Sequence, residues 1–334
     1  MTAAEHDFPL PPKPYATWQQ ICDNVFNHFT QRWEYDADTC GGGLRWHFNP
    51  DNNGHEYKNS ISNGAFFQLA ARLARMTGNE TYAEWARKVW AWETEIGLID
   101  RDYRVFDGTT LTLNCTEINH NEWSYNVAIH LYGAAVMQNH TGGSKEWISH
   151  TSGLLNSAEK FFSPFYNATN IMYEPRCEPS ATCNEDQRSM KAYLSRWMAG
   201  TSQLAPQTTR RIGELLHASA TGAASACTGG PFGNMCGTKW YIDGWDGSTG
   251  LGPQLSAMEV IQGLLVNETA PPPTPASFRS RSTNPDDSGP SRSAPEQSTT
   301  EAAASEETDL ASKFALRQPS LLVVLGCTMA HILR

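Results

Sequence analysis

The sequence predicts an all-α fold built from antiparallel helical hairpins. The clearest hairpin lies within residues 57–99, where apolar residues between Ile61 and Ala74 recur every three or four positions, as on one face of an amphipathic helix. Gly78 suits the left-handed position that ends a helix, and a second apolar face runs through residues 82–92. Two helices of about four turns each, joined by a short turn, are therefore expected here.

A second predicted inner helix repeats this design. Residues 123–138 carry an apolar face, and Tyr125 and Asn126 occupy the first turn, as Asn63 does in the earlier hairpin. This repeated polar helix start indicates a ring of hairpins around one site. The other predicted helices cover residues 18–33, 147–162, 188–198, 207–225 and 254–265, and a long loop rich in glycine and tryptophan covers residues 229–252.

The polar residues at the helix starts allow two interpretations. Lys58, Asn59 and Asn63 could cap the first inner helix, or they could point out of its mouth and hydrogen-bond to hydroxyl groups of a ligand. Trp46, which follows the glycine run 41–43, could stand over the same mouth or could simply follow a tight turn. The sequence leaves both questions open.

Four acidic residues lie in or just after the polar connection between the two predicted hairpins and are candidates for catalysis: Asp102, Asp107, Glu117 and Glu122. Acids in turns usually cap the backbone or face solvent, which argues against each one individually. The segment Val105-Phe106-Asp107-Gly108 predicts a turn or a short β-hairpin.

Composition is compatible with a folded, non-nucleic-acid-binding domain. The chain has 334 residues with 40% hydrophobic content, enough to bury a core. Its net charge of −10 argues against nucleic acid as a partner, because phosphate binding needs a basic face. The 11 Trp and 11 Tyr residues suit stacking on sugar rings, although core packing is the commoner role for any single Trp.

Three regions are expected along the chain: a helical domain at residues 1–266, a disordered stalk at 267–312, and a short apolar tail at 313–334. The stalk is rich in Pro, Ser, Thr and Glu and has few large apolar residues, so it is expected to be disordered and O-glycosylated. The tail is too short to span a bilayer. Together these features suggest a GPI-anchor signal with attachment at Ser305 or Asp309.

Asn-x-Thr sequons indicate passage through the secretory pathway; they stand at Asn79, Asn114, Asn139, Asn167 and Asn267. Residues 1–14 lack the basic and apolar regions of a signal peptide, which conflicts with the secretion that the sequons indicate.

The cysteine spacing predicts three disulfides and no zinc site. Cys177 lies close to Cys183 in sequence and Cys227 to Cys236, which leaves Cys40 to pair with Cys115. Cys22 falls on a helix face and is expected to be a buried free thiol, and Cys327 lies in the tail.

Several ordered motifs carry a family resemblance; they are YKNSISNG, LAARLARMTGN, GLID, VFDG, EWSYNVAIHLYGAAVM and CNEDQRSMKAYLSRWM. With these motifs the chain resembles, over about residues 1–266, the fungal cell-wall branch of glycoside hydrolase family 76. The resemblance implies an (α/α)6 six-hairpin barrel. About eight helices are predicted where twelve are needed, so the barrel is expected to be incomplete at its N-terminus, with long Gly/Trp-rich loops.

The resemblance also implies a substrate-binding set, which is Lys58, Asn59, Asn63, Tyr125, Asn126 and Lys191, the last matching a lysine of the family's motif. The adjacent aspartates that relatives use for catalysis are expected upstream of Met1, so no catalytic residue is assigned. The pair Asp286-Asp287 lies in the stalk and cannot substitute for them. The chain by itself is therefore expected to be inactive.

The function implied is that of an endo-1,6-α-mannosidase or a related transglycosidase in fungal cell-wall biogenesis. The expected partners are α-1,6-mannan or the mannose chains of GPI glycans, cell-wall glucan as an acceptor, and the membrane through a GPI anchor at the cell surface. No cofactor or metal is implied. The alternative is a non-catalytic mannan-binding cell-wall protein.

Overall fold

Helices account for most of the chain that the computed structural model describes, namely residues 1–6, 8–9 and 16–282. Within these residues the helices are α1 Thr2–Glu5, α2 Trp18–Tyr35, α3 Ser60–Thr77, α4 Glu80–Glu95, α5 Ser124–His140, α6 Lys145–Ala158, α7 Met190–Leu204, α8 Thr209–Ala226, α9 Leu251–Gly263 and α10 Pro275–Ser282. Every helix predicted from the sequence is present, with ends that differ by a few residues. The all-α prediction is confirmed for the described chain, apart from one small sheet.

The hairpin of α3 and α4 forms as its sequence dictates. Gly78 ends α3 with a φ of 73°, the left-handed conformation that a side chain disfavours. Asn79 then caps α4 by accepting a hydrogen bond from the Thr81 backbone N–H. The two helices run antiparallel because only these two residues join them.

Helices α3, α5, α7 and α9 form an inner row in which each packs against the next, and α4, α6 and α8 lie outside their partners. Aromatic packing joins the two layers. The Phe67 ring on α3 is wholly buried, stacks on Trp147 of α6 at 5.8 Å and contacts Trp90 of α4 at 5.6 Å. These tryptophans belong to the core, while Trp46 and Trp245 keep 38% and 39% of their surface exposed.

A three-stranded antiparallel sheet joins the starts of two inner helices. Its strands are β1 Tyr57–Asn59, β2 Phe106–Thr110 and β3 Ile118–Glu122, in that spatial order. The short β-hairpin predicted around Val105–Gly108 is thus confirmed as β2 and β3, and β1 adds a strand that the sequence did not predict. Because β1 runs into α3 and β3 into α5, the sheet holds both helix starts at one end of the row.

Three disulfides close the loops as predicted, pairing Cys40 with Cys115, Cys177 with Cys183, and Cys227 with Cys236. Among the cysteines described, Cys22 is the free one, and it is buried on α2 as expected. The first bridge spans 75 residues and stabilises the fold by on the order of 4 kcal/mol through the entropy of the unfolded chain.

The folded domain extends beyond the predicted boundary at residue 266. Helix α10 packs on α3, and the Arg75 guanidinium donates hydrogen bonds to the carbonyls of Pro272 and Pro273 at 2.7 and 2.9 Å. The expectation of a disordered stalk from residue 267 is therefore wrong for its first part, because these prolines are buried. The rest of the expected stalk and the tail, including Ser305 and Asp309, lie outside the described residues. None of the helices described has the combined length and apolarity that a membrane crossing needs.

Candidate functional site

The four inner helices begin at the same end of the row, which we call the mouth. The sheet brings the starts of α3 and α5 together, and Ser60 donates from its side chain to the Phe106 carbonyl at 2.5 Å. At α9, Ser256 donates to the carbonyl of Arg188, just before α7, at 3.0 Å. The loops that precede the inner helices therefore form one continuous rim.

Asp107 is a carboxylate on β2, the middle strand of the sheet that joins the starts of α3 and α5. The Tyr57 hydroxyl donates to its Oδ2 at 2.7 Å, and the Asn119 amide donates to the same oxygen at 3.2 Å and to the Tyr57 hydroxyl at 3.0 Å. Burial raises the pKa of Asp107, and the hydrogen bond from Tyr57 offsets this only in part. Tyr57, Asp107 and Asn119 thus combine donors and acceptors at one point, and we call them the mouth triad.

Gly108 allows the mouth triad to form. A Cβ at this position would lie 2.6 Å from the Tyr57 ring and 2.7 Å from the Lys58 carbonyl. Gly108 pairs with Asn59 across β1 and β2. Because Gly108 has no side chain, the Tyr57 ring can pack against this strand. The need for space beside Tyr57 and the Lys58 carbonyl therefore explains why glycine follows Asp107 in the VFDG motif.

An indole ring stands beside the mouth triad. Trp46 contacts Tyr57 edge to face at 6.5 Å between ring centres, and its backbone N–H donates to the Tyr57 carbonyl at 2.7 Å. Gly54 makes room for it, since a Cβ there would lie 2.4 Å from the indole. Of the two interpretations of the Gly41–Gly43 loop, the geometry supports the one in which Trp46 stands over the mouth.

Tyr125 and Asn126, in the first turn of α5, lie next to the triad. Burial raises the pKa of Tyr125, and the charges of Asp107 and Glu174 raise it further, which places its hydroxyl near both acids. Asn126 is fully buried, and within the described chain neither its amide nitrogen nor its amide oxygen has a partner in hydrogen-bond geometry. Its amide nevertheless lies close enough to Asp107 to lower the pKa of that carboxyl.

Glu174 is a buried acid that sequence reasoning missed. Its Oε1 accepts hydrogen bonds from the Ser124 hydroxyl and, at 3.2 Å, from the Ser124 backbone N–H at the start of α5. Burial raises its pKa to about 8, against the lowering effect of Ser124, and the neighbouring Glu178 raises it further. Glu174 is therefore protonated at neutral pH and fixes the first turn of α5.

Lys191 is buried in a structural contact. Its ammonium group pairs with Glu178 at 2.8 Å, donates to the Thr238 carbonyl, and lies 4.0 Å from the centre of the Trp240 ring. These contacts tie α7 to two loops of the rim. The Lys191 side chain is 1% exposed and its charge is already paired, which argues against direct contact with substrate; the predicted substrate-binding role stays a prediction.

Lys58, Asn59 and Asn63 also face protein groups. The Lys58 ammonium donates to the carbonyls of Thr39 and Gly42 at 2.7 and 2.5 Å, so it holds the loop that ends at Trp46. Asn59 caps α3 through the Ser62 N–H at 3.2 Å. Asn63 accepts from the Leu44 N–H at 2.7 Å and donates to the Leu44 and Asn59 carbonyls. The capping interpretation is the correct one, and the expectation that these three point out of the mouth is wrong.

The other candidate acids lie elsewhere. Asp102 and Glu117 are exposed, and Glu122 pairs with Lys160 at 2.5 Å. Asp107 is the one of the four that joins the mouth. The sequence does hold one signal for Glu174 and Glu178, because they are four residues apart next to the closely spaced Cys177 and Cys183. In the structure the chain forms a tight turn there, in which the Glu178 backbone N–H donates to the Glu174 carbonyl.

Comparison with known proteins decides the family. The profile of glycosyl hydrolase family 76 matches residues 1–277. The chain belongs to glycosyl hydrolase family 76. It is 46% identical over 278 residues to the mannan endo-1,6-α-mannosidase DCW1 of Candida albicans, covering 82% of this chain and 61% of that protein. The chain therefore spans about three fifths of the length of this curated relative.

Two solved structures of family 76 have folds similar to that of this chain. Dfg5 of Chaetomium thermophilum, solved with glucosamine, is 38% identical with a TM-score of 0.77 and covers 82% of this chain and 67% of its own. An inactive variant of an α-1,6-mannanase from a Salegentibacter species, solved with α-1,6-mannotriose, has a TM-score of 0.59 at 21% identity and covers 74% of this chain and 69% of its own. Family 76 structures are (α/α)6 barrels, which confirms the predicted barrel class.

Proposed function

We propose that this chain has the function of a family 76 glycosidase or transglycosidase of α-1,6-mannan, with the mouth as its glycan-binding site; no pair of catalytic carboxyl groups is assigned among its described residues. The observation that carries the proposal is the 46% identity with a mannan endo-1,6-α-mannosidase over most of the chain. The α-1,6-mannotriose bound by the Salegentibacter mannanase supports the choice of ligand.

The chemistry of the mouth suits a neutral polyhydroxyl ligand. A mannose hydroxyl both donates and accepts, and the mouth triad presents the Asp107 carboxylate as an acceptor, held in place by the N–H groups of Asn119 and the hydroxyl of Tyr57. Trp46 adds an apolar ring on which the C–H face of a sugar can lie. Asn126 lies beneath these groups, wholly buried, and its amide lowers the pKa of the Asp107 carboxyl. In this proposal these residues bind and orient the glycan.

Glycosidases of this kind use two carboxyl groups on either side of the scissile bond. Asp107 is the carboxylate best placed to hold a hydroxyl of the bound sugar. Glu174, though protonated at neutral pH, is bonded to Ser124 beneath the surface, so its proposed role is to position Tyr125 and Asn126.

The decisive experiment is a titration of the full chain with α-1,6-mannotriose, paired with an assay for cleavage of α-1,6-mannan. Asp107→Asn removes the charge that accepts a hydroxyl and is expected to weaken binding about ten- to hundredfold, since hydrogen bonds to charged groups contribute about 1.5–3 kcal/mol. Asp102→Asn is the matched control at an exposed acid. Equal affinities of the wild type and Asp107→Asn would contradict the site. Cleavage of α-1,6-mannan would contradict the alternative of a mannan-binding wall protein, whereas binding without cleavage is expected of both, because no catalytic pair is assigned.

We propose a cell-surface location with attachment through a GPI anchor, and GPI-glycan mannose chains or cell-wall glucan as further partners. Three disulfides support an oxidising compartment. The exposed sequon residues Asn79, Asn114 and Asn167 support glycosylation. Release of the native protein from cells by a phosphatidylinositol-specific phospholipase would support the anchor, and retention after that treatment would contradict it.

A further inference from the structure

A second concavity lies on the outer face of α8, and none of the residues assigned to the mouth lines it. It has a volume of about 820 Å³, within the range of ligand-binding clefts. One wall is the segment 166–171, the other is the segment 240–243, and α8 forms the floor. We call it the α8 groove. Its polar and aromatic lining includes Tyr166, Asn167, Thr221, Ser225, Tyr241 and Asp243.

Both walls of the α8 groove are anchored to its floor. At Gly222 a Cβ would lie 2.9 Å from the Trp240 carbonyl and 3.2 Å from Ile171, so the glycine lets both walls rest on the helix. Ser219 on α8 accepts from the Met172 backbone N–H at 2.9 Å. Trp240 is 1% exposed and donates from its indole to the Gly237 carbonyl at 3.1 Å. The groove is therefore preformed, which lowers the entropic cost of binding.

The lining of the groove selects a class of ligand. Among the described residues that line it, Asp243 is the charged one, so the groove offers nothing to a phosphate or to another anion. Hydroxyl and amide groups come from Asn167, Thr221 and Ser225. The Tyr166 ring is 96% exposed. A surface of amides, hydroxyls and an accessible ring matches the alternating polar edges and C–H faces of a sugar.

Tyr241 adds an unused polar group. Its hydroxyl is buried and has no hydrogen-bond partner in the described part of the chain. The ring is held by Phe165 and Tyr173, with ring centres 5.2 and 5.7 Å away. Burial raises the pKa of Tyr241, so at neutral pH the hydroxyl stays protonated and can donate. A sugar hydroxyl in the groove is a suitable partner for it.

We propose that the α8 groove is a second glycan-binding site that takes a neutral hexose chain. This inference rests on the proposed function only in taking cell-wall mannan and glucan as the sources of the hexose chain. Asn167 belongs to a sequon and lines the groove, so a glycan on Asn167 would begin at its edge. The experiment therefore uses the full chain produced in the bacterial periplasm, where disulfides form and no N-glycan is attached.

The test is calorimetric titration with α-1,6-mannotriose and, separately, with a β-1,3-glucan trisaccharide, which distinguishes the two sources. Ser225→Trp fills the groove and is expected to abolish one binding event. Tyr166→Ala removes a stacking ring and is expected to weaken that event about two- to tenfold. Tyr35→Ala is the matched control, because Tyr35 is 89% exposed and lies outside the groove lining.

The outcomes separate this site from the mouth. A binding event that is lost in Ser225→Trp but retained in Asp107→Asn would support glycan binding in the α8 groove, whichever trisaccharide gives that event. If Ser225→Trp and Tyr166→Ala both bind the two trisaccharides as the wild type does, the groove is not a glycan site. The proposed function would then be tested by the mannotriose affinity of Asp107→Asn alone. Circular dichroism and urea unfolding establish that each variant is folded before its titration is interpreted.

Discussion

Glu93 on α4 and His130 on α5 form a wholly buried pair, with the two carboxylate oxygens 3.0 and 2.9 Å from Nε2 of the imidazole. His130 Nδ1 lies 2.7 Å from the Asn126 carbonyl and must carry a proton, because a carbonyl can only accept. The pair therefore connects an outer helix to the first turn of α5, where Tyr125 and Asn126 meet the mouth triad.

Replacing His130 is expected to destabilise the protein strongly. His130→Ala leaves the Glu93 carboxyl buried without its partner, which typically lowers the free energy of unfolding by about 3–5 kcal/mol. Urea unfolding followed by circular dichroism measures the change. His217→Ala is the control, since His217 is exposed on α8, and it should have little effect. A loss below about 1 kcal/mol in His130→Ala would contradict the importance of the pair.

The same pair predicts a dependence of stability on pH. Burial alone lowers the pKa of His130, but the Glu93 carboxylate and the hydrogen bonds to Glu93 and Asn126 outweigh burial and raise the pKa above its usual value of about 6.5. A raised pKa contributes stability that is fully present below the unfolded-state value. That stability is lost as pH rises through the folded-state value.

Burial also raises the pKa of Glu93, which acts in the same direction. The free energy of unfolding is therefore expected to fall as pH rises above the usual carboxyl pKa of about 4.3, and further above about 6.5. The reference is the double variant Glu93→Gln/His130→Gln, which lacks both groups. Urea unfolding at a series of pH values should show the wild type losing stability relative to this variant as the solution becomes more alkaline. Parallel curves for the two proteins would show that the pair does not titrate differently in the folded and unfolded states.

Lys191 is expected to matter for folding rather than for direct contact with glycan. Lys191→Met leaves Glu178 buried and unpaired, so the free energy of unfolding should fall by about 3–5 kcal/mol. Adding Glu178→Gln removes the stranded charge and should restore much of that loss. Lys145→Met, at an exposed position on α6, is the control. If the single variant kept wild-type stability but lost mannotriose binding, the sequence-based role of Lys191 would be right after all.

The sequence predicted the elements that follow from local chemistry. Apolar spacing and the left-handed Gly78 located the α3–α4 hairpin, and cysteine spacing gave all three disulfides. Prediction from the sequence failed for side chains that contact a loop distant in the sequence. Nothing near Lys58 in sequence shows that the carbonyls of Thr39 and Gly42 fold back over its ammonium group. Glu174 was missed for the same reason, because acids in loops are usually solvated and the start of α5 buries this one.

The boundary of the folded domain is a further case in which tertiary contacts override composition. Residues after 266 have the composition of a linker, but Arg75 donates to the carbonyls of Pro272 and Pro273 and also to the Asn139 side chain at 2.8 Å. Burial lowers the pKa of Arg75, and the three acceptors keep its donors satisfied. A sequence pattern cannot reveal an arginine that binds carbonyls almost two hundred residues away.

Arg75→Ala is accordingly expected to release residues 270–282 from the domain. Each lost hydrogen bond from the charged group contributes about 1.5–3 kcal/mol to holding this segment against α3. Limited proteolysis with mass spectrometry should show faster cleavage between residues 266 and 282 than in the wild type. Arg210→Ala provides the matched control, because the Arg210 side chain is 87% exposed. Unchanged cleavage rates in Arg75→Ala would mean that α10 docks without the arginine.

Gly108 links the fold to the site most directly, and Gly108→Ala tests that link. The added Cβ would lie 2.6 Å from the Tyr57 ring and 2.7 Å from a backbone carbonyl that cannot move freely within the sheet. Overpacking of this kind lowers the free energy of unfolding by about 1–3 kcal/mol. The Tyr57 ring must also shift, which lengthens its 2.7 Å hydrogen bond to Asp107. Weaker binding of α-1,6-mannotriose is therefore expected along with the loss of stability.

The matched control for this glycine is Gly213→Ala. Gly213 lies on the exposed side of α8, and a Cβ there would meet no atom within 4 Å. Alanine is the better helix former, so this change should leave stability equal or raise it by roughly 0.5–1 kcal/mol, with mannotriose binding unchanged. A crystal structure or the NMR shifts of Tyr57 would show whether the ring has moved in Gly108→Ala. If the ring moved and binding stayed at the wild-type level, Tyr57 and Asp107 would not contact the glycan, and the mouth site would have to be sought nearer Trp46 and Tyr125.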